Sequence, residues 1–375
     1  MWRLAFRNLF QNKVRLIISV GGVALALLLS LSLDAILEGI QRQVTTYIDQ
    51  SGADIFVAQA GVRNMHMASS WLPASMVGKV RGVPGVESVT PILYVTNVIE
   101  ASDNAPYMAL NLAYIIGLPP NATAGGPPRI AEGVSIPAKG EAIIDRAVAA
   151  KSGVVLGDKI KILGEELTLA GLSESMTTFT GSIAFISKKD FDRIRGETGA
   201  VSFILVKVEL GESPAEVARR IENQVDKVTA EPRTGFAAQE RKVVQDMSTD
   251  IVTIMNLIGF VIGLAVMALT VYTATLARRK EYGVLKALGA RSAHLYRAVL
   301  AQALISVGVG FALSLLITLI LSASVPYLGV SLSLQINGAS LIRVGGLSIV
   351  IAGLSAMLPI KQIAGLDPAL VFRGK

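Results

Sequence analysis

Residues Leu16–Leu33 read LIISVGGVALALLLSLSL, 18 positions without a charge. As a helix rising 1.5 Å per residue this stretch is about 27 Å long, close to the ~30 Å hydrocarbon core of a bilayer. Three further stretches share its character: Ile251–Ala277, Ala298–Val325 (followed by Pro326), and Val344–Leu358 (closed by Pro359 and Lys361). The last is short and contains Gly345, Gly346 and Gly353. The chain is 52% hydrophobic and 17% charged, with mean hydropathy +0.55. Soluble domains carry about 25% charged residues. Here the deficit is concentrated in these stretches, which predicts a membrane protein with four transmembrane helices.

The first stretch follows a basic leader (Arg3, Arg7, Lys13, Arg15), and Ser30-Leu31-Ser32 has the small-x-small form of a signal cleavage site. Its 18 apolar residues exceed the ~7–15 of a signal peptide core, and cleavage would leave three spans, so it is expected to be retained. Orientation follows from Lys/Arg placement. The leader holds four basic residues and no acid. The stretch after the second span holds Arg278, Arg279, Lys280, Lys286, Arg291 and Arg297 against Glu281. The tail holds Lys361, Arg373 and Lys375 against Asp367, while Pro326–Ser340 carries no charge. Leader, second loop and tail are therefore expected in the cytoplasm, on the inner face of the cytoplasmic membrane.

The resulting plan is a leader (1–15), a first span (16–37), an extracytoplasmic region (38–250), a second span (251–277), a cytoplasmic loop (278–297), a third span (298–325), a short external loop (326–340), a fourth span (341–359) and a cytoplasmic tail (360–375). Residues 38–250 contain 21 Lys/Arg and 25 Asp/Glu, a net of −4, although the whole chain is +7. The basic excess thus flanks the spans, as membrane topology requires, and nucleic acid is not an expected partner.

The extracytoplasmic region is ample for a folded domain. Leu33, Ile36, Leu37, Ile40, Val44, Tyr47 and Ile48 recur at helical spacing, as do Val243, Val244, Met247, Ile251 and Ile254. Both ends are read as helical extensions of the spans, forming a stalk; a plain helical hairpin fits the same pattern. Between them the texture is mixed α/β (α+β). Ala53–Gln59, Val86–Val98, Lys159–Leu163, Leu167–Leu172, Ile183–Ser187 and Phe203–Leu210 read as strands. Ala74–Arg81, Arg146–Ser152, Lys189–Arg195 and Pro214–Val228 read as helices, the last with Ser213 as N-cap before proline at the first helical position. Gly117–Gly140 is rich in Pro and Gly and is expected to separate two subdomains.

Much chemistry is absent. There is no cysteine, and the two histidines are His66 and His294. No G-x-x-x-x-G-K-[ST], H-E-x-x-H or G-x-S-x-G motif occurs. Catalytic residues, metal ligands and a cofactor of this chain's own are therefore not expected. Asn256, Thr270, Thr273 and Gln302 are among the polar side chains within the spans, and Asp34 and Glu38 fall at the outer end of the first. An ion-coupled carrier needs ionisable groups near the midplane, so the energy source is expected in another subunit. Met65-His66-Met67 is a tentative external ligand contact, two thioethers beside an imidazole; incidental methionines in a loop account for it as well. Gly259-x-x-x-Gly263 permits close helix packing, within the chain or across a dimer seam.

The most informative loop is Arg278-Arg279-Lys280-Glu281-Tyr282-Gly283-Val284-Leu285-Lys286-Ala287-Leu288-Gly289-Ala290-Arg291. Val284, Leu285 and Leu288 form one apolar stripe on a short helix that Gly289 terminates. Such a helix can dock in a groove of a cytoplasmic partner. A purely topogenic loop would account for the charges but not for the stripe.

This loop resembles the R-[RK]-K-E-x-G-v-L-[KR]-A-L-G-A signature of the MacB/FtsX-type permeases of ABC transporters. Gly365-Leu366-Asp367-Pro368-Ala369-Leu370 with Arg373 resembles that family's D-P-A-x-A-L-R ending, with Val371-Phe372 altering it. Ala5-Phe6-Arg7-Asn8-Leu9 and Asn12-Lys13-Val14-Arg15 resemble its opening. Val83-Pro84-Gly85-Val86, Gly140–Ile144 and Leu156–Lys159 are similar to its periplasmic core. Tyr282 stands where isoleucine is common. The resemblance implies a homodimer of this chain with two copies of a cytoplasmic ABC ATPase that binds ATP and Mg. Residues Glu281–Ala290 would be the coupling helix, and the stalk would pass motion to the outer domain (mechanotransmission), with an extracytoplasmic adaptor in some systems. It implies efflux of haem, drug, peptide or lipid-like cargo at the outer face. The alternative is a signalling subunit that moves an external enzyme or sensor and transports nothing.

Overall fold

The computed structural model describes residues 13–101, 111–178, 181–196, 199–325 and 333–364. Most of the leader (1–12) and the Gly365–Arg373 ending lie outside them. The chain forms two compact units, one comprising residues up to Gly39 with Ser248 onward, the other Ile40–Met247. Among the described residues four helices are long and apolar enough to cross a membrane. They are α1 (Lys13–Gln50), α6 (Arg233–Ala277), α8 (Ser292–Ser324) and α9 (Gly338–Ala364). Shorter helices are α2 (Ser75–Arg81), α3 (Arg146–Ser152), α4 (Lys188–Arg195), α5 (Pro214–Gln224) and α7 (Arg279–Ala287).

In the membrane unit, α1 and α6 run antiparallel with small residues between them. A Cβ on Gly22 would collide with Cγ1 of Val266. A Cβ on Gly263 would stand 3.2 Å from the Ala26 Cβ, and one on Gly259 3.3 Å from the Ala26 carbonyl and the Ser30 hydroxyl. On α8, Gly310 meets Val23 and the Val20 carbonyl in the same way, at 3.1 and 3.3 Å. Val23, Leu27, Leu31, Met267, Val271, Val299, Val307, Ile351 and Ala356 fill the core of this unit.

The fourth helix is longer than the expected 341–359 span. Pro359 lies inside α9 and does not end it. Proline forfeits one backbone bond, which membrane helices tolerate where neighbouring groups satisfy the freed carbonyl. At the other end, Asn337 caps α9 by accepting from the Ser340 N–H (2.7 Å) and donates to Glu38 Oε2 (2.8 Å). Arg343 falls within the helix and pairs with the buried Asp34 at 3.2 Å. The segment before α9 packs on α1. Gln335 N–H reaches the Ala35 carbonyl at 2.9 Å, and the Ser333 carbonyl lies where a Cβ on Gly39 would project.

The outer unit contains a mixed sheet. Its strands are β1 (Ile55–Gln59), β3 (Val86–Ala101), β4 (Asn111–Leu118), β5 (Ile130–Gly133), β6 (Glu141–Asp145), β7 (Lys159–Ile162), β8 (Glu165–Ser173), β9 (Thr177–Thr178), β10 (Gly181–Ser187), β12 (Phe203–Val208) and β13 (Val228–Pro232). The main order is β13-β1-β12-β3-β4-β10-β6-β8-β5, parallel at β4/β10 and β6/β8. A separate ladder joins β2 (Leu72–Pro73) to β11 (Ala200–Val201). On β1, Ile55 and Val57 enter one core while Phe56 and Ala58 enter another, the period-two signature of a strand buried on both faces. The second of these cores receives Tyr47 and Ile48 from α1 and Phe236 and Ala237 from α6. The first is covered by α2 and α5 through Val80, Val217 and Ile221.

Gly117–Gly140 does not separate two subdomains. Its first two residues finish β4, β5 lies inside it, and Thr123 and Ala124 donate N–H to the Thr90 hydroxyl. The sheet changes partners within β3, whose residues up to Ile92 pair with β12 and whose later ones pair with β4 and β7. Helix α5 stops at Gln224, short of the expected Val228, because Val225 turns extended and Val228 enters β13. Ser213 precedes Pro214 as expected, but its side chain makes no capping bond.

Gly39 and Gly346 give a contrast to measure. Alanine at an open helical position is favoured over glycine by ~0.5–1 kcal/mol, whereas at Gly39 it must displace backbone. Gly39→Ala should lower the thermal midpoint of the purified protein by several degrees, and Gly346→Ala, with no atom within 4 Å of its Cβ, should hold or raise it.

Candidate functional site: the loop between the second and third membrane helices

Arg278, with φ −109° and ψ 17°, breaks the chain out of α6. Its carbonyl accepts the Tyr282 N–H at 3.0 Å, starting α7. The helix carries Glu281 in its first turn and Lys286 in its last, favourable ends for its dipole. Arg278 and Glu281 approach to 3.8 Å. Termination is a Schellman turn. Gly289 N–H donates to the Lys286 carbonyl (3.1 Å) and Ala290 N–H to that of Leu285 (3.0 Å), with Gly289 at φ +88°. Only glycine holds that conformation at little cost.

The two faces of α7 differ. Tyr282 and Gly283 are buried, and Tyr282 joins the core of the membrane unit with Leu295 and Val299. Burial pushes its phenol above the ordinary range, partly offset by Arg278. Val284 and Leu285 are 40% and 38% exposed and Leu288 79%, with Ala287 also exposed. The apolar stripe therefore lies open while Tyr282 anchors the opposite side, an inward role that its place in the motif did not reveal. Lys286 Nζ donates to the Ala364 carbonyl at the end of α9, 3.2 Å away. So α7 is tied to α9 as well as joined to α6 and, through Ser292, to α8. Its geometry provides no nucleophile or metal cluster; it can present a docking face and transmit displacement to three long helices.

The other expected residues fall elsewhere. Gly259 and Gly263 face α1 of the same chain, as described. In the outer unit Met65 is 2% exposed, Met67 61%. His66 Nδ1 lies 2.7 Å from Glu240 Oε1, and Glu240 Oε2 accepts the Met65 N–H at 2.6 Å. The imidazole also stands edge-on to Tyr114, ring centres 4.5 Å apart. The structure thus joins His66 to a buried carboxylate 174 residues away and leaves the two thioethers in different environments. Among the described residues no three His, Cys, Asp or Glu side chains form a metal site.

Known proteins were compared against this framework. Residues 16–224 match the MacB-like periplasmic core domain family and residues 253–368 the FtsX-like permease C-terminal family. A protein of Mycobacterium tuberculosis named as an uncharacterized ABC transporter permease is 19% identical over 371 residues, covering 99% of each chain. One from Methanocaldococcus jannaschii with the same description is 22% identical over 398 residues, covering 99% of this chain and 97% of the relative. The periplasmic region of MacB from Actinobacillus actinomycetemcomitans superposes with a TM-score of 0.40 at 10% identity, covering 51% of this chain and 94% of that one. The extracellular domain of the transporter YknZ from Gram-positive bacteria gives 0.36 at 13%, covering 48% and 99%. With its four apolar helices, its extracytoplasmic mixed α/β domain and these two family matches, the chain belongs to the MacB/FtsX-type family of ABC transporter permeases.

Proposed function

We propose that this chain couples a separate cytoplasmic ATPase to work at the outer face of the cytoplasmic membrane, with Glu281–Ala290 as the coupling helix. The observation that carries this reading is the open apolar stripe of α7, Val284, Leu285 and Leu288, on a helix anchored behind by Tyr282. Bare leucines on a short helix beside basic residues suit a groove on a protein partner. The partner binds ATP and Mg; no G-x-x-x-x-G-K-[ST] phosphate loop occurs in this sequence. Leader, α7 loop and tail face the cytoplasm, in keeping with the basic residues beside them.

Two long helices support transmission. α1 and α6 continue without a break from the membrane unit into the outer unit, over 38 and 45 residues. Within the outer unit Arg241 bridges them, 3.4 Å from the Thr45 hydroxyl and 3.9 Å from Asp49. The membrane window of α6 is only 17% buried within one chain. That leaves a face for lipid or for a second copy, compatible with the homodimer served by two ATPase chains that the resemblance implies. The work done is extrusion of haem, drug, peptide or lipid-like cargo, with or without an extracytoplasmic adaptor. Movement of an external enzyme or sensor without transport is the second reading, and the scarcity of charge in the spans suits it equally. ATP-dependent cargo movement in vesicles holding both subunits separates the two.

The native chain has no cysteine, so single cysteines report sidedness cleanly. Leu288→Cys in intact cells should resist a membrane-impermeant maleimide and react once the membrane is opened, and Tyr282→Cys should react at least tenfold more slowly. Labelling of Leu288→Cys from outside would overturn the orientation. For coupling, the pair Leu285→Asp and Leu288→Asp should abolish co-purification with the ATPase and cut its stimulation at least tenfold while the thermal midpoint holds. Undiminished stimulation after replacing Glu281, Leu285 and Gly289 together would reject the coupling-helix assignment.

A further inference from the structure

A cavity of about 370 Å3 lies in the outer unit between the Met65–Trp71 segment, β3 at Leu93–Thr96, the last turn of α4 and the start of β12. That size falls within the ~300–1,000 Å3 of small-molecule sites. Part of its wall is aromatic. Tyr94 and Phe203 meet edge to face, ring centres 6.3 Å apart at 76°. Trp71 also lines the cavity and is 56% exposed. Its backbone is tied to β1. The Trp71 N–H donates to Gln59 Oε1 at 3.2 Å, and the Gln59 N–H donates to the Ser70 hydroxyl at 3.0 Å. A large apolar ring is thus held toward solvent on a fixed segment.

The rest of the wall is polar, and its neutral groups are set in place by other bonds. The Ser70 hydroxyl accepts from Gln59 N–H, and the Ser202 hydroxyl accepts from Tyr94 N–H at 3.0 Å. Each therefore keeps its own proton to donate. His66 supplies the complementary acceptor. Glu240, 1% exposed, engages Nδ1 at 2.7 Å and takes the Met65 N–H on its other oxygen at 2.6 Å. With Nδ1–H given to the carboxylate, Nε2 of the neutral imidazole accepts, and it has no partner among the described residues. Charge favours neither sign of guest. Arg195 stands in the lining and the Glu240 carboxylate behind His66, so a cation or an anion would each meet one like charge.

We infer that this cavity binds an uncharged saccharide, with a C–H face of the sugar ring against Trp71 and its hydroxyls shared among Ser70, Ser202 and His66 Nε2. A sugar ring carries an apolar C–H face and a rim of hydroxyls that both donate and accept. One guest therefore meets the indole and both kinds of neutral polar group. The indole supplies contact area at a fixed position, and a few placed polar groups orient the guest. A purely apolar guest would bury the two serine hydroxyls and Nε2 without partners, which costs more than their bonds contribute. The site is independent of α7 and stands whether or not that helix receives an ATPase.

The test uses the full chain in nanodiscs of uncharged lipid. The chain holds two tryptophans, so a Trp2→Phe background leaves Trp71 as the sole indole. The neutral probes are glucose, N-acetylglucosamine, maltose and cellobiose. Sorbitol serves as a polyol without a ring, and glucuronate and glucosamine as charged sugars. At least one neutral probe should change Trp71 emission saturably at millimolar concentration, and the three controls should not. Trp71→Ala, followed by saturation transfer to the sugar C–H protons, should abolish binding, and Trp71→Phe should keep part of it. Ser202→Ala should weaken binding about three- to tenfold, the range for one lost hydrogen bond. The site is overturned by no saturable response to any of the four, by an equal response to sorbitol or a charged sugar, or by undiminished saturation transfer in Trp71→Ala. If a variant lowers the thermal midpoint without ligand, the neutral-versus-charged contrast in the Trp2→Phe chain decides alone.

Discussion

Backbone contact between α1 and α6 is the constraint on which the membrane unit rests. Lipid tails are as apolar as leucine, so helices in a bilayer gain little by hiding apolar side chains from them and associate by close packing instead. Gly22, Ala26 and Ser30 on one helix and Gly259 and Gly263 on the other remove the side chains that would hold the backbones apart. Residues 40–247 are inserted in the chain between these same two helices. The seam therefore clamps both the exit from the membrane and the return to it, and Gly310 of α8 docks on α1 by the same device.

Polar chemistry in this unit gathers at its two ends. At one end Asp34 pairs with Arg343 and Glu38 accepts from Asn337. Removing Arg343 would leave the buried Asp34 carboxylate without its ion-pair partner, which costs more than the pair itself contributes. At the other end lies α7, held by Tyr282 and by the Lys286 bond to Ala364. Between them the packing carries no charged side chain among the buried residues, and hydroxyls such as Thr270, Thr275, Ser314, Thr318, Ser348 and Ser355 bond to carbonyls of their own helix.

The first three spans are legible in the sequence because uncharged runs of 18 or more residues seldom occur outside membranes, and the fourth, between Arg343 and Lys361, falls one residue short. The stripe and glycine stop of α7 are legible because capping chemistry and helical period are local. What escapes the sequence depends on distance. Asp34 gives no sign of Arg343, 309 positions later, nor His66 of Glu240. Strands β4 and β6 escape because central strands buried on both faces lack alternation, and β4 ends against a Pro- and Gly-rich run that reads as loop. Pro359 reads as a terminator because in water it usually is one.

The pairing of β1 has a bearing on how the protein is made. Both neighbours of this strand, β12 and β13, begin at Phe203 or later, so Ile55 waits for Val206 on one side and Pro232 on the other. An emerging chain therefore delivers IFVAQ to the far side of the membrane long before either partner arrives. During that interval both edges of an apolar strand stay unsatisfied, the condition under which nascent chains mispair or aggregate. Such long-range pairing also folds slowly. The outer unit can close only when nearly all of it has been translocated, just before α6 enters the bilayer, so secretion, folding and membrane insertion converge on one late event in its synthesis.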